Sequence, residues 1–123
     1  MRSSTLYSAA ILFLLTLICS CKKENDSTDQ QTVNVTIHSN ESYKYDLGIF
    51  GDEEGAAITR QAMHYQISSA QRSLDFSKVF YEYKPSLNYT GTDVVELKSA
   101  RGSDGASANN KIIVTTIKFT ISN

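Results

Sequence analysis

Apolar and polar residues alternate along much of the chain from about residue 33 onward. Val, Ile, Leu, Tyr and Phe occupy one phase, and polar or charged residues stand between them. The segments with this pattern are 33–38, 43–47, 63–67, 79–84, 95–98 and 113–121. A period of two is typical of half-buried β-strands, and turn-forming stretches such as 51–55 separate the segments. The pattern predicts about seven strands.

No stretch of ten or more residues has a helical period, and Val, Ile, Thr, Tyr and Phe, which favour strands, are frequent. Short alternating strands in about 90 residues predict an all-β, antiparallel Ig-like β-sandwich. The five tyrosines that share the apolar phase are mostly expected in the core: Tyr43, Tyr45, Tyr65, Tyr81 and Tyr83. Phe80 lies on the opposite phase, which predicts an exposed apolar spot or a sheet edge.

The first 20 residues form a separate segment. Arg2 gives it a positive start, and residues 6–18 are mostly Leu, Ile, Ala and Phe. This run of about 13 residues is shorter than the roughly 20 that a membrane-spanning helix needs. A positive start followed by a short apolar stretch and small residues is typical of a secretory signal peptide.

The apolar run ends in Ile18-Cys19-Ser20-Cys21. This tetrapeptide resembles the lipobox of bacterial lipoproteins, in which an aliphatic, a variable and a small residue precede a cysteine. Only Cys21 fits, because the residue before Cys19 is Ile18, which is not small. The resemblance implies that residues 1–20 are removed as a signal peptide. It also implies that Cys21 carries acyl chains such as palmitate, which would hold the chain on a membrane.

Residues 21–31 are expected to be the lipidated cysteine and a disordered tether, because 22–31 contains no apolar side chain to offset the entropy of ordering. The folded domain is then expected at 32–123. The Cys-Lys-Lys-Glu start resembles lipoproteins of the Bacteroidetes group. That resemblance implies attachment to the outer membrane of a bacterial envelope, facing either the cell surface or the periplasm.

The tether also contains a candidate modification site. Asp26-Ser27-Thr28 resembles the short O-glycosylation motif of the same bacteria, with Ser27 as the acceptor. A three-residue match has little specificity, and a solvated linker is the preferred interpretation of the same residues, with O-glycosylation of Ser27 as the alternative.

Residues 83–93 read YKPSLNYTGTD. They resemble the Tyr-x-Pro and aromatic-Thr-Gly-Thr-Asp motif of bacterial cadherin-like and immunoglobulin-like β-sandwich domains. The resemblance covers about 40 residues at the C-terminal end. It implies that one strand ends at the Tyr-x-Pro, that a loop follows, and that two further strands close the sheet. More broadly, the chain resembles small Bacteroidetes lipoproteins with a single domain of this kind.

The chemistry of the motif residues suggests structural functions. Pro85 has no N–H and is expected to end a strand ladder, and Gly91 permits a positive φ at a corner. Asp93, with Thr90 and Thr92, can bind backbone N–H groups of the turn. Tyr83 belongs to the preceding strand, and Tyr89 is expected to cover the end of the core.

The sequence offers little for catalysis or metal binding. It lacks a Gly-x-Ser-x-Gly elbow, and its two histidines, His38 and His64, lie on polar phases that predict solvent exposure. The acidic groups at 52–54 and the polar loop containing Asp104, Asn109 and Asn110 lack the alternate spacing of a calcium loop. We therefore expect neither an enzyme nor a cofactor or metal. A net charge of −1 gives no reason to expect nucleic-acid binding.

The leading hypothesis from sequence is a lipid-anchored envelope lipoprotein with a non-catalytic Ig-like binding or accessory domain. Its partners would be the membrane, through the lipid, and a protein or glycan. A structural surface or matrix component that assembles through sheet edges, with the last strand as donor, is the alternative. Carbohydrate binding through exposed aromatic residues is a further one.

Overall fold

A computed structural model of the chain describes residues 27–52, 54–102 and 110–123. Seven strands and no helix occur within these residues. The strands are β1 (Ser27–His38), β2 (Tyr43–Ile49), β3 (Gly55–Arg60), β4 (Tyr65–Arg72), β5 (Lys78–Pro85), β6 (Gly91–Arg101) and β7 (Lys111–Ser122). The part of the chain described here contains no helix long and apolar enough to cross a bilayer.

The strands form a β-sandwich of two sheets. One sheet has the order β1-β7-β6-β3 and the other β2-β5-β4. Every pairing is antiparallel except that of β1 with β7, which is parallel. The predicted all-β sandwich is therefore confirmed, and the one parallel pair is its departure from a purely antiparallel fold.

The core lies between the sheets and follows the predicted alternation. Tyr81 and Tyr83 of β5 are fully buried, and Val95 and Leu97 of β6 face them together with the apolar phase of β7. The ring of Tyr83 stacks on Phe119, with 4.0 Å between their centroids. Burial of such large aromatic side chains is the main stabilising contribution in a domain of this size.

The third predicted strand, 63–67, was placed wrongly. Met63 precedes β4 and is exposed, and Tyr65, at the start of β4, is 40% exposed rather than core. The sequence pattern also missed β3, whose residues Gly55, Ala56 and Ala57 are too small to show an alternation. Pairing with β6, rather than large apolar side chains, forms this strand.

The first strand begins earlier than the sequence pattern indicated. Residues 27–31, predicted as tether, belong to β1 and pair with β7 in register, from Ser27 opposite Lys111 onward. All five are exposed. Their order comes from backbone hydrogen bonds to an existing strand, which polar side chains do not prevent and which apolar periodicity does not reveal.

Two expectations about edges are corrected. Phe80 lies on the outer face of β5, which is the central strand of its sheet; the ring is half-buried and the ammonium group of Lys44 lies 5.6 Å from its centroid. The last strand, β7, pairs with β1 on one side and β6 on the other. It is therefore not free to act as a donor, and the edges of its sheet are β1 and β3.

The two ends of the sandwich carry different loops. Ser27 lies level with Arg101 across β7. The guanidinium of Arg101 donates to the Leu47 carbonyl, and that of Arg72 donates to the Gly51 carbonyl. The β4–β5 connection, the end of β2, the start of β3, the end of β6 and the start of β7 therefore lie where β1 begins, at what we call the N-terminal end. The β1–β2, β3–β4 and β5–β6 connections lie at the opposite, motif end.

Candidate binding surface at the motif end

The carboxylate of Asp93 organises the loops at the motif end. Asp93 lies on the inward phase of β6 and is 5% exposed. Its Oδ1 accepts hydrogen bonds from the amides of Met63 and Val94, both at 2.9 Å, and its Oδ2 accepts one from the amide of His64 at 2.8 Å. A buried carboxylate needs such donors. The arrangement therefore fixes the backbone of the β3–β4 connection.

The Asp93 contacts differ from the sequence expectation. Asp93 was expected to bind its own turn with Thr90 and Thr92, but two of its three backbone partners lie 29 or 30 residues earlier in the chain. The reason is its phase on β6, which directs the carboxylate between the sheets beside Val95 and Leu97.

Tyr83 completes the network from the other sheet. Its hydroxyl lies 3.0 Å from both the Asp93 Oδ2 atom and the His64 carbonyl oxygen, so its single hydrogen is shared between two acceptors. Burial, and then the hydrogen bond to Asp93, raise the pKa of Tyr83 above its usual range. Both effects favour the neutral hydroxyl, which is the form that donates these hydrogen bonds.

The β5–β6 connection is a tight turn set by its sequence. Pro85 ends β5 and is buried. The amide of Tyr89 donates to the Ser86 carbonyl at 3.1 Å, and Asn88 has a φ of 58°, a conformation that Asn tolerates. Gly91 has a φ of 138°, so the positive φ expected there is confirmed. The tip of the turn presents Leu87 to solvent.

The β3–β4 and β5–β6 connections are held against each other. The amide of Ser86 donates to the His64 carbonyl at 3.1 Å. The rings of His64 and Tyr89 stack with 4.1 Å between their centroids, and the Tyr89 hydroxyl donates to the Thr92 carbonyl at 2.9 Å. Tyr89 is half-buried and packs against the core, as expected for a residue that covers the end of the core.

The resulting surface combines fixed backbone with exposed apolar and aromatic side chains. We call it the motif-end surface and define it by Met63, His64, Leu87 and Tyr89. Met63 is 79% exposed and Leu87 74% exposed. Beside them lies a recess of about 190 Å³. Its lining residues are Arg60, Met63, His64, Thr92, Asp93 and Val94. Exposed apolar side chains that cluster on a rigid frame are typical of recognition surfaces.

The motif residues named from the sequence are thus brought together, and Met63 and Leu87 were missed as surface residues. Met63 was assigned to a core phase, and Leu87 is one apolar residue in a polar turn. The sequence did contain a signal for Leu87: it is an apolar residue between a strand-ending Pro and an Asn, in a turn whose positions are usually polar.

The two histidines are both exposed, as predicted: His38 is the last residue of β1, and His64 belongs to the motif-end surface. No group of three or more His, Cys, Asp or Glu side chains suitable for a metal occurs among the described residues. Glu54 instead accepts hydrogen bonds from the amides of Gly51 and Gly102. Ser27 is the exposed first residue of β1. Cys21, Glu53, Asp104 and Asn109 lie outside the described residues.

A second concavity lies on the outer face of the four-stranded sheet, at the β3 edge. It measures about 420 Å³ and most of its lining is apolar. Its lining residues are Glu54, Gly55, Ala56, Ala57, Thr59, Lys98 and Ala100. Small side chains on β3 leave this hollow. It contains fewer large side chains than the motif-end surface and no aromatic one.

No protein-family model and no curated protein sequence matches the chain. Among solved structures, the fold is similar to that of the cysteine protease inhibitor EhICP2 from Entamoeba histolytica. The sequences are 14% identical, the match covers 77% of this chain and 97% of that chain, and the TM-score is 0.45.

Proposed function

We propose that this protein is a lipid-anchored lipoprotein of the bacterial envelope whose β-sandwich is a non-catalytic binding module. The observation that carries the proposal is the motif-end surface: Met63 is exposed on a connection that the buried Asp93 holds in place, and Leu87 is exposed on the turn that is hydrogen-bonded to that connection. Preorganised loops lose little entropy on binding. We propose a protein or glycan as the partner, because Met, Leu and aromatic rings bind apolar surfaces.

The position of the surface is consistent with anchoring. β1 begins at the N-terminal end, and its residue Ser27 follows Cys21 after five intervening residues. A lipid on Cys21 would therefore lie toward that end of the sandwich, and the motif-end surface would point away from the membrane. This arrangement leaves Met63 and Leu87 accessible to a partner.

Two experiments test the two parts of the proposal. The variant Cys21→Ala should leave the membrane fraction, and unchanged membrane partitioning would refute the anchor. For binding, a photo-crosslinking amino acid is placed at Met63 or at Leu87 in intact cells, with Lys118 as the control. Lys118 is also exposed but lies on the outer face of the central strand β7. One discrete adduct shared by Met63 and Leu87, and missing at Lys118, is expected. Equal labelling at all three positions would contradict the assignment.

A specific observation also supports a second function, assembly of copies through the β3 edge. β3 is an edge strand, and its small residues Ala56 and Ala57 border the 420 Å³ hollow. Unpaired strand edges are templates for pairing. Size-exclusion chromatography at rising concentration should then show oligomers that Ala57→Lys abolishes and Thr120→Lys, on central strand β7, preserves. A strict monomer would rule this function out.

A further inference from the structure

The connection between β4 and β5 presents two apolar side chains to solvent at the N-terminal end. Leu74 is 100% exposed and Phe76 is 68% exposed. With Asp75 between them they form what we call the 74–76 tip. Large apolar side chains rarely stand fully in water without a partner when they are grouped. The tip therefore has the composition of a contact site.

Backbone contacts hold the tip in one shape. The amide of Phe76 donates to the Ser73 carbonyl at 2.9 Å, and the guanidinium of Arg72 donates to the Phe76 carbonyl at 2.8 Å. Phe76 itself has a φ of 57°. A bulky aromatic residue in this left-handed conformation is a real outlier, and such outliers are found at sites of function. The strained position therefore carries an exposed Phe76 ring where a turn usually has Gly or Asn.

The acidic residue of the tip is directed back into the loop. The carboxylate of Asp75 accepts hydrogen bonds from the Ser73 hydroxyl and from the amide of Ser77, the latter at 3.1 Å. These hydrogen bonds lower the pKa of Asp75. The charge is thus engaged within the loop, while Leu74 and Phe76 point outward on either side of it.

A third apolar side chain extends the same end. Ile49 is 66% exposed, and it precedes Phe50, whose amide donates to the Ser77 carbonyl at 2.9 Å. Beside it the ammonium group of Lys78 lies 3.6 Å from the Asp46 carboxylate. The charge of Lys78 is therefore paired and the Arg72 guanidinium is engaged with backbone carbonyls, so the apolar side chains Ile49, Leu74 and Phe76 are the exposed groups of this corner of the N-terminal end.

The chain outside the described residues indicates what covers this corner. Five residues separate Cys21 from Ser27, so six residue-to-residue steps of 3.3–3.6 Å each allow a distance of at most about 22 Å between them. Ser27 begins β1 at the same end as the 74–76 tip. With a lipid on Cys21, as the proposed function holds, the bilayer surface lies within this reach of the N-terminal end.

We infer that the 74–76 tip, with Ile49 beside it, docks on the phospholipid bilayer to which Cys21 attaches the chain. The inference rests on the proposed lipid anchor and adds a second contact to it. Leu74 and Phe76 enter the boundary between headgroups and acyl chains, where apolar side chains are favourable. Two contacts, the lipid and the tip, would fix the orientation of the sandwich and hold the motif-end surface away from the membrane.

Depth-dependent fluorescence quenching tests the inference. The full lipidated chain carries an environment-sensitive fluorophore on a new cysteine, Leu74→Cys, Ile49→Cys or, as the control at the motif end, Leu87→Cys. Each labelled protein is reconstituted in vesicles of phosphatidylethanolamine and phosphatidylglycerol. The vesicles also contain lipids with quenchers on the acyl chain. Several-fold stronger quenching at positions 74 and 49 than at 87 is expected. The substitution Phe76→Asn should reduce the quenching at position 74.

The outcomes separate the tip from the anchor. If the protein floats with the vesicles and position 74 is quenched no more than position 87, the docking inference is wrong and the anchor stands. If the protein does not float with the vesicles, the lipid anchor fails and the docking inference fails with it. The vesicles contain no other protein, so strong quenching at position 74 cannot arise from a protein partner.

Discussion

The hydroxyl of Tyr83 lies 3.0 Å from the Oδ2 atom of Asp93, and the two residues belong to different sheets. This contact is a buried polar link that joins the sheets at the motif end. The same carboxylate binds the amides of Met63 and His64. A single buried group therefore couples the packing of the sandwich to the shape of the proposed binding surface.

Replacing Asp93 by Asn should destabilise the domain and loosen the motif-end surface. The new NH₂ group cannot accept the hydrogen bonds that reach one carboxylate oxygen, so at least one buried donor loses its partner. Each such loss costs about 1–3 kcal/mol. Urea denaturation measures the free energy of unfolding, with Asp52→Asn, at an exposed turn residue, as the control. Equal stability of the two variants would show that the network is dispensable.

Stability should fall steeply above pH 10 because of two buried tyrosines. Burial raises the pKa of Tyr81 from 10.0 to about 12, and also raises that of Tyr83. Below pH 10 these residues keep their protons in both states, so their contribution is constant. Between pH 10 and 12 the unfolded chain releases protons that the folded chain retains. The free energy of unfolding then falls by about 1.4 kcal/mol per pH unit for each tyrosine.

The variant Tyr81→Phe isolates one of these contributions. It loses the contact between the Tyr81 and Ser68 hydroxyls, 2.7 Å apart, so it should be less stable at pH 7 by about 1 kcal/mol. Its stability should nevertheless decline less steeply between pH 10 and 12 than that of the natural chain. Denaturation midpoints at intervals of half a pH unit give both slopes, and identical slopes would contradict the assignment.

Gly91→Ala should weaken the motif end. A Cβ at Gly91 would lie 2.9 Å from the Tyr89 hydroxyl, at a φ of 138° that other residues rarely adopt. Backbone strain of this kind costs about 1–3 kcal/mol, and the shift of Tyr89 would disturb its stack on His64. Gly51→Ala is the matched control, because the nearest atom there is at an ordinary 3.6 Å. Thermal denaturation measures the midpoint of each variant. An equal fall of the midpoint in both variants would argue against the strain.

An exchange of residues at two similar backbone positions tests whether Phe76 is stabilising. Phe76 and Asn88 have φ values of 57° and 58°, and Asn tolerates this conformation better than Phe does. Phe76→Asn should therefore raise the free energy of unfolding by up to about 1 kcal/mol, and Asn88→Phe should lower it by a similar amount. A loss of stability in Phe76→Asn would mean that the ring packs on the domain and is not held out for another contact.

Strand periodicity made the core predictable from the sequence, and its limits explain the errors. Val79, Tyr81 and Tyr83 alternate with polar residues because one face of β5 is buried. β3 gives no such signal, because its small side chains do not alternate between large apolar and polar residues. The signal is also missing from the first five residues of β1, which are exposed and pair with β7 through their backbone.

The site was less predictable than the fold because its contacts join distant segments. The motif spacing identified Gly91, whose positive φ is a local property of the turn. The partners of Asp93 depend on how the sheets stack, which brings Met63 and His64 to it from about 30 residues away. No local pattern in the sequence contains that information, so the exposed Met63 was placed on the apolar phase of a predicted strand.

The parallel pairing of β1 with β7 has a mechanical consequence. Ser27 lies opposite Lys111 and His38 opposite Ser122, so the two strands run side by side in the same direction. A pull on the start of β1, opposed by a load held at the motif end, acts along these strands. The hydrogen bonds between them then bear the force together in shear, and they do not open one after another. With the proposed lipid on Cys21 and the proposed partner at the motif-end surface, the sandwich would therefore resist traction along these strands.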